Sequence, residues 1–233
     1  MLSLSPRAEM QGVSARAVLP LISGAINLLY PMQKVNDKKN ERAYVFGTFI
    51  LVKRSVYEAT RGHETVRGEL VEDAALAKVT KEAGYSLRVE RGGNLLSTLW
   101  ESDPKSIYQG LERIVSSSIR SYGLVSILNA VLLFFLTLYP ILYVISYALL
   151  LPAGVVVFVG FVASILNILT FLLLAEFETV TISGSMGLSA FLYPIGSAFF
   201  ITAIISASIK VSRGEELKWK DSGYIQVSGS KAK

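Results

Sequence analysis

The sequence predicts an α/β domain over residues 1–121, an all-α transmembrane bundle of about three helices over residues 122–209, and a basic tail over residues 210–233. Two observations carry this architecture. Between Tyr122 and Ile209, 88 positions, the only fully charged side chains are Glu176 and Glu178. A soluble domain needs charged outer faces, so this block belongs in a bilayer. The front half is different: 17 basic and 13 acidic side chains give it a net +4, and its apolar residues fall into short strand-like and helix-like patterns. The tail, with 6 basic and 3 acidic side chains, adds +3.

The elements follow in order. Residues 17–31, AVLPLISGAINLLYP, are apolar but short and carry Pro20 and Pro31. Glu9 upstream and the lack of an A-x-A site argue against a signal peptide, which leaves an interfacial segment presenting Leu19, Ile22, Ile26 and Leu29. A basic loop, KVNDKKNER, comes next. Tyr44–Lys53 is rich in β-branched and aromatic residues and reads as a buried strand. Ser55–Thr60 reads as a helical turn, and Gly62, His63 and Gly68 as a loop. Asp73 opens a helix whose apolar faces hold Ala74, Leu76, Ala77 and Val79 and which Gly84 stops. Ser86–Glu90 alternates like a strand. Ser106–Tyr122 is amphipathic, with Ile107, Leu111, Ile114 and Val115 on one side, and is expected along the membrane interface.

Three apolar runs then follow, about 124–150, 153–175 and 188–209, each long enough to cross about 30 Å of hydrocarbon as a helix. Pro140 is expected to kink the first run, and Leu151–Gly154 to turn it into the second. Asn129 and Asn167 suit helix–helix hydrogen bonding more than a transport path, and Gly160 with Ser164 suits close packing. Lys105, Arg113 and Arg120 precede the first run and place the front half in the cytoplasm of a multi-pass integral membrane protein. Three crossings would then put Lys210, Arg213, Lys218 and Lys220 outside, against the same rule; either the tail is outside or one run is re-entrant.

Composition excludes several chemistries. With no cysteine there is no thiol nucleophile, iron–sulfur cluster or cysteine zinc site, and the single histidine, His63, cannot build a histidine-rich metal centre. No GxxxxGK, GxGxxG or EF-hand pattern occurs. The basic excess beside so large an apolar block points to membrane lipids as partners rather than nucleic acid. The remaining chemical candidate is the pair Glu72-Asp73. An acid at a helix start is also what capping and the helix dipole favour, so capping and general-base roles both stand on spacing alone.

A series of motifs nevertheless resembles the acceptor half of membrane-bound family 2 glycosyltransferases, in particular ceramide glucosyltransferase and the carotenoid-acid and hopanoid-associated enzymes. The series is Gly47-Thr-Phe-Ile-Leu-Val-Lys-Arg54, Tyr57, Gly62-His63-Glu64-Thr65-Val66, Glu72-Asp73-Ala-Ala-Leu-Ala77 and Lys81-Glu-Ala-Gly84. Ser3–Arg7 resembles the segment after the family's metal-binding strand, and Leu217–Tyr224 its terminal tryptophan-basic-glycine-tyrosine motif. The resemblance implies a partial GT-A-like α/β fold and inverting transfer of a sugar from a nucleotide sugar to a lipid-like acceptor. It implies Asp73 as the base, with Glu72 orienting it, and Gly62 and His63 on the acceptor side. Trp100 either stacks on a sugar or anchors at the interface. The family's Trp-containing motif is incomplete here: Gln109, Gly110 and Arg113 are present without the Trp, so Arg113 is either a diphosphate contact or an interfacial residue.

The family's Asp-x-Asp is absent from these 233 residues. The resemblance therefore implies no cofactor in this chain; Mg²⁺ or Mn²⁺ and the nucleotide sugar are expected only with an upstream nucleotide-binding half. On this reading the chain is a truncated or split product, inactive alone. The alternative is a non-catalytic membrane interaction protein that retains the glycosyltransferase remnant.

Overall fold

In the computed structural model, which describes residues 1–69, 71–100, 103–122, 128, 131–132, 135–150, 155–183, 188–213, 217–219 and 222–224, the front half is built on one long strand bent at Pro6. Proline lacks an N–H and has a fixed φ, so it interrupts the ladder between β1 (Leu2–Ser5) and β2 (Arg7–Met10). β1 pairs antiparallel with β3 (Ile50–Leu51) and parallel with β4 (Arg88–Arg91), giving the order β3-β1-β4. β2 pairs parallel with β5 (Ser97–Trp100). A 3-10 turn at Gly93–Leu95 absorbs the residues between β4 and β5. Two bonds bridge the bend: Gly92 N–H to the Ser5 carbonyl and Arg7 N–H to the Leu96 carbonyl, both 2.8 Å. The strand expected at Ser86–Glu90 is thus present two residues later.

The strand expected over Tyr44–Lys53 is not. Only Ile50–Leu51 pairs. The preceding residues turn back instead, Phe49 N–H reaching the Phe46 carbonyl at 3.2 Å. The buried hydroxyl of Ser3 takes the place of ladder partners, accepting the Phe46 N–H at 2.8 Å and donating to the Phe46 carbonyl at 3.2 Å. Val45, fully buried, packs with Val35, Ala77, Leu87 and Val89. Of this stretch only Val45 is buried, while Gly47, Thr48 and Leu51 are exposed, and side-chain and turn bonds take part in satisfying its backbone.

The helices of the front half lie close to expectation. α1 (Gly12–Leu29) is longer than the apolar run suggested and accommodates Pro20; α2 (Met32–Asn36) begins after Pro31. α3 (Arg54–Ala59), the single turn α4 (Gly62–Thr65) and α5 (Glu72–Glu82) follow. Lys81 of α5 is buried. Its ammonium donates to the Val35 and Arg42 carbonyls, both at 2.7 Å, which pins the basic loop to the domain. α6 (Pro104–Tyr122) is the amphipathic helix, capped by Asp103, whose carboxylate accepts the Ser106 N–H at 2.9 Å.

In the back half, part of the first run and residues 151–154 and 184–187 lie outside the described residues. The described helices are α7 (Tyr139–Leu150), α8 (Val155–Ser183) and, after a 3-10 turn at Leu188–Leu192, α9 (Tyr193–Arg213). α8 runs eight residues beyond the predicted 153–175 run. Among the described residues three helices are long and apolar enough to cross a membrane: Gly12–Leu29, Val157–Ser183 and Ser189–Arg213. The chain therefore carries a helical membrane part. A Cβ at Gly160 would sit 2.7 Å from the Tyr143 hydroxyl, so glycine there lets α7 approach α8. Asn129 lies outside the described residues, and Asn167 Oδ1 has no hydrogen-bond partner among them. In the tail, β6 (Leu217–Trp219) and β7 (Ser222–Tyr224) form a hairpin, with β6 against α6.

One apolar cluster joins front and back. It holds Ala17, Val18 and Ile22 of α1, Ile107, Leu111, Val115 and Ile119 of α6, and Ala203, Ile204 and Ala207 of α9. Gly196 makes the contact possible, because a Cβ there would run into the Ala17 carbonyl, a backbone atom that cannot swing away. Gly196→Ala is expected to destabilise the protein by about 1–3 kcal/mol, the usual cost of overpacking, read as a lower midpoint of unfolding in detergent.

Candidate active site around Asp73

Asp73 is the second residue of α5. Val71 holds the cap position and offers no side-chain bond, so Asp73 does the capping from inside the helix. Its Oδ1 accepts the Ala74 N–H at 2.7 Å and its Oδ2 accepts the Gly47 N–H at 2.9 Å. The second bond ties the helix start to the 44–49 turn. It needs glycine: a Cβ at position 47 would sit 2.8 Å from Oδ2. Each oxygen keeps a further lone pair for a third group.

The half-buried carboxylate is held above the ordinary carboxylate pKa. Burial is the largest cause; the Ala74 and Gly47 amides pull the other way, Glu72 raises the value and the Arg113 guanidinium lowers it. Glu72 itself is exposed at the first position of the helix. Tyr44 is within electrostatic reach too. Burial, then Asp73, then Tyr30 raise its phenol far above the ordinary range, so it stays protonated.

The Asp73 shift has a consequence for stability. In the folded state the carboxyl holds its proton more tightly than in the unfolded chain, whose ordinary value is 3.8. Stability therefore falls as pH rises from 3.8 through the raised value, and the loss is complete above it. Asp73→Asn is expected to flatten the stability–pH curve across that window, measured by thermal unfolding at a series of pH values.

The other predicted residues divide. Gly62 and His63 form the turn α4, which packs on α5. Gly62 has φ +48°, and a side chain there would collide with the Tyr57 ring. Tyr57 organises this turn: its hydroxyl accepts the His63 N–H at 3.2 Å and bonds His63 Nδ1 at 2.8 Å. Arg113, on α6, acts on Asp73 through space although 40 residues separate them in sequence. Trp100 ends β5 opposite Met10, in the two-stranded part of the ladder rather than in the α5 and 44–47 surroundings of Asp73. Gly47, Tyr44 and Tyr57 were not singled out as site residues. The spacing of Tyr57 and His63 is the only sequence signal that would have joined two of them.

Compared with models of protein families, with curated proteins and with solved structures, the chain matches none. The site's own chemistry is one half-buried carboxylate, a guanidinium that acts on it electrostatically and a histidine-bearing turn packed on the same helix. Among the described residues no three His, Asp or Glu side chains converge, so the residues present do not form a holder for the divalent cation that the resemblance associates with an upstream half.

Proposed function

We propose that this chain is the acceptor-side half of a membrane-embedded inverting glycosyltransferase, moving a sugar from a nucleotide sugar to a hydroxyl or carboxyl of a lipid-like acceptor. The observation that supports the reading is the half-buried Asp73 carboxylate, fixed at the start of α5 by the Ala74 and Gly47 N–H groups with a free lone pair on each oxygen, and with Arg113 as a weaker electrostatic influence. The partial GT-A-like fold is part of the same reading, as is a cytoplasmic front domain at the cell membrane.

In the reaction, the acceptor oxygen attacks the anomeric carbon from the face opposite the diphosphate. The new C–O bond forms as the bond to the diphosphate oxygen breaks, and the nucleoside diphosphate leaves with that electron pair. Asp73 takes the acceptor's proton. A pKa raised toward the working pH makes it a stronger base than an exposed carboxylate. Arg113 faces the diphosphate, and Gly62 and His63 line the acceptor side. The nucleotide sugar and its cation belong to a nucleotide-binding half contributed by another chain or by a longer product.

The test uses proteoliposomes holding the full chain together with the product of the reading frame immediately upstream, supplied with labelled nucleotide sugars and lipid acceptors. Label transferred to lipid is the expected result. No transfer, with nucleotide-sugar binding by the upstream product verified, would overturn the reading.

A further inference from the structure

We infer that only the hairpin of the first apolar run and α8 crosses the membrane, that α1, α6 and α9 lie as a layer along one membrane face, and that the front domain and the basic tail share that side. This goes beyond the length and hydropathy of the helices, by which α1 and α9 also qualify as spans.

The first observation concerns α1. Both of its ends are tied to the same strand ladder. Just before it, Met10 of β2 pairs with Trp100. Just after it, the Leu29 carbonyl accepts Arg42 Nε at 2.9 Å and Tyr30 stacks on Tyr44 at 5.2 Å. Asn36 then exchanges two bonds with the backbone of Val89 in β4, at 2.7 and 3.0 Å. The strand from Leu2 to Met10 is about 30 Å long and an 18-residue helix about 27 Å, so α1 returns along the strand it follows. That ladder carries Arg7, Glu9, Arg88, Glu90 and Arg91, which hydrocarbon does not accommodate. A helix lying beside such a sheet does not cross.

The second observation concerns α9, which is fastened to the layer along its length. Gly196 seats against Ala17 of α1. Phe199 meets Tyr108 of α6 at 6.2 Å between ring centres. Near its end, Ser206 and Lys210 both bond Glu112 of α6, at 2.5 and 2.7 Å. α6 starts three residues after β5 and carries Lys105, Glu112, Arg113 and Arg120, so it does not cross either. The end of α9 is consequently on the side of the front domain.

The third observation is where α8 meets the layer. Glu178 accepts bonds from Ser23 at 2.8 Å and Asn27 at 3.0 Å, and Ile182 packs on the α1–α6–α9 cluster. The last turns of α8 are thus at the level of α1. The remaining Val155–Ala175, 21 residues, spans about 31 Å, enough for the hydrocarbon, and leaves Phe158, Val162, Leu166, Leu169 and Leu173 exposed toward lipid. The two carboxylates of the apolar block, Glu176 and Glu178, sit where that helix leaves the bilayer. The conflict with the positive-inside rule disappears, because Lys210, Arg213, Lys218 and Lys220 now lie on the side of Lys105, Arg113 and Arg120. The partner of the layer is the near lipid leaflet, reached by exposed Leu28 and Leu29 of α1 and Ile205 and Ile209 of α9.

The sequence contains no cysteine, so single thiols report position without further engineering. Full-length Ser55→Cys, Ala153→Cys and Ser228→Cys proteins would be placed in sealed membrane vesicles and treated with a maleimide that cannot cross lipid. The expected result is labelling of positions 55 and 228 from one side and of position 153 from the other. Labelling of 228 from the side opposite to 55 would overturn the inference, as would labelling of 153 from the same side as 55.

Discussion

Replacing Asp73 by Asn is expected to cut sugar transfer by about 10²–10⁴-fold, the range that a positioned general base supplies. Asparagine keeps the size of the side chain and one acceptor oxygen for a backbone N–H, so the start of α5 survives while the proton acceptor is lost. Asp73→Glu should fail as well. The carboxylate is wedged beside Gly47, where even a Cβ would come within 2.8 Å of Oδ2, and an added methylene has nowhere to go. A pH profile separates a base from a merely structural carboxylate. The wild-type rate should rise with pH through the raised pKa of Asp73, and the rise should vanish in Asp73→Asn. Because the Arg113 guanidinium lowers that pKa, Arg113→Gln should move the rise to higher pH, and Arg113→Lys should largely restore it. Transfer rates measured against pH in reconstituted membranes check all three; an Asp73→Asn protein with wild-type turnover would remove the base assignment.

The positions of the helices were legible because each rests on a local cause. Asp103 caps α6, Gly84 follows α5 with φ +82°, and of the apolar side of α6 named from its spacing Ile107, Leu111 and Val115 are buried while Ile114 is half-buried. The Tyr44–Lys53 segment was legible in one core residue, Val45, but not in its form. A strand needs partners, and partners are a non-local property; here the Ser3 hydroxyl and a turn at Phe46–Phe49 supply the bonds instead. The inferred topology turns on a related, non-local property. Length and hydropathy describe what a helix tolerates; the contacts of α1 and α9 with Val89, Glu112 and Ala17, on which that inference rests, come from elements distant in sequence.

Less of the candidate site was legible. Glu72-Asp73 stands out because an acid pair opens a helix, yet the same position suits a cap, and the structure has Asp73 serving as one. What spacing did not disclose is that Gly47 must be glycine for the carboxylate to approach, or that Arg113 lies within reach of it from α6. Both depend on how α5 and α6 are set against each other, which one sequence does not encode in any local pattern. Tyr57 is a similar case: its hydroxyl bonds both the backbone and the ring of His63, a contact closed by the left-handed Arg61 and Gly62.

Lys210→Met is expected to destabilise the protein by about 3 kcal/mol, the low end for breaking a buried ion pair, because about a third of the lysine side chain still reaches solvent. Its partner, Glu112, is only 9% exposed and would be left with Ser206 alone. Glu112→Leu removes the charge that needs compensation, and the Ser206 hydroxyl can turn to its own helix carbonyls. The double variant Glu112→Leu/Lys210→Met should therefore recover most of the loss, giving a coupling of about 1–3 kcal/mol in a double-mutant cycle read by unfolding in lipid bicelles. The same cycle bears on topology. Glu112 belongs to a helix that starts from the sheet, so a pair between it and Lys210 exists only if the end of α9 is on the front-domain side. A coupling of zero would remove that support.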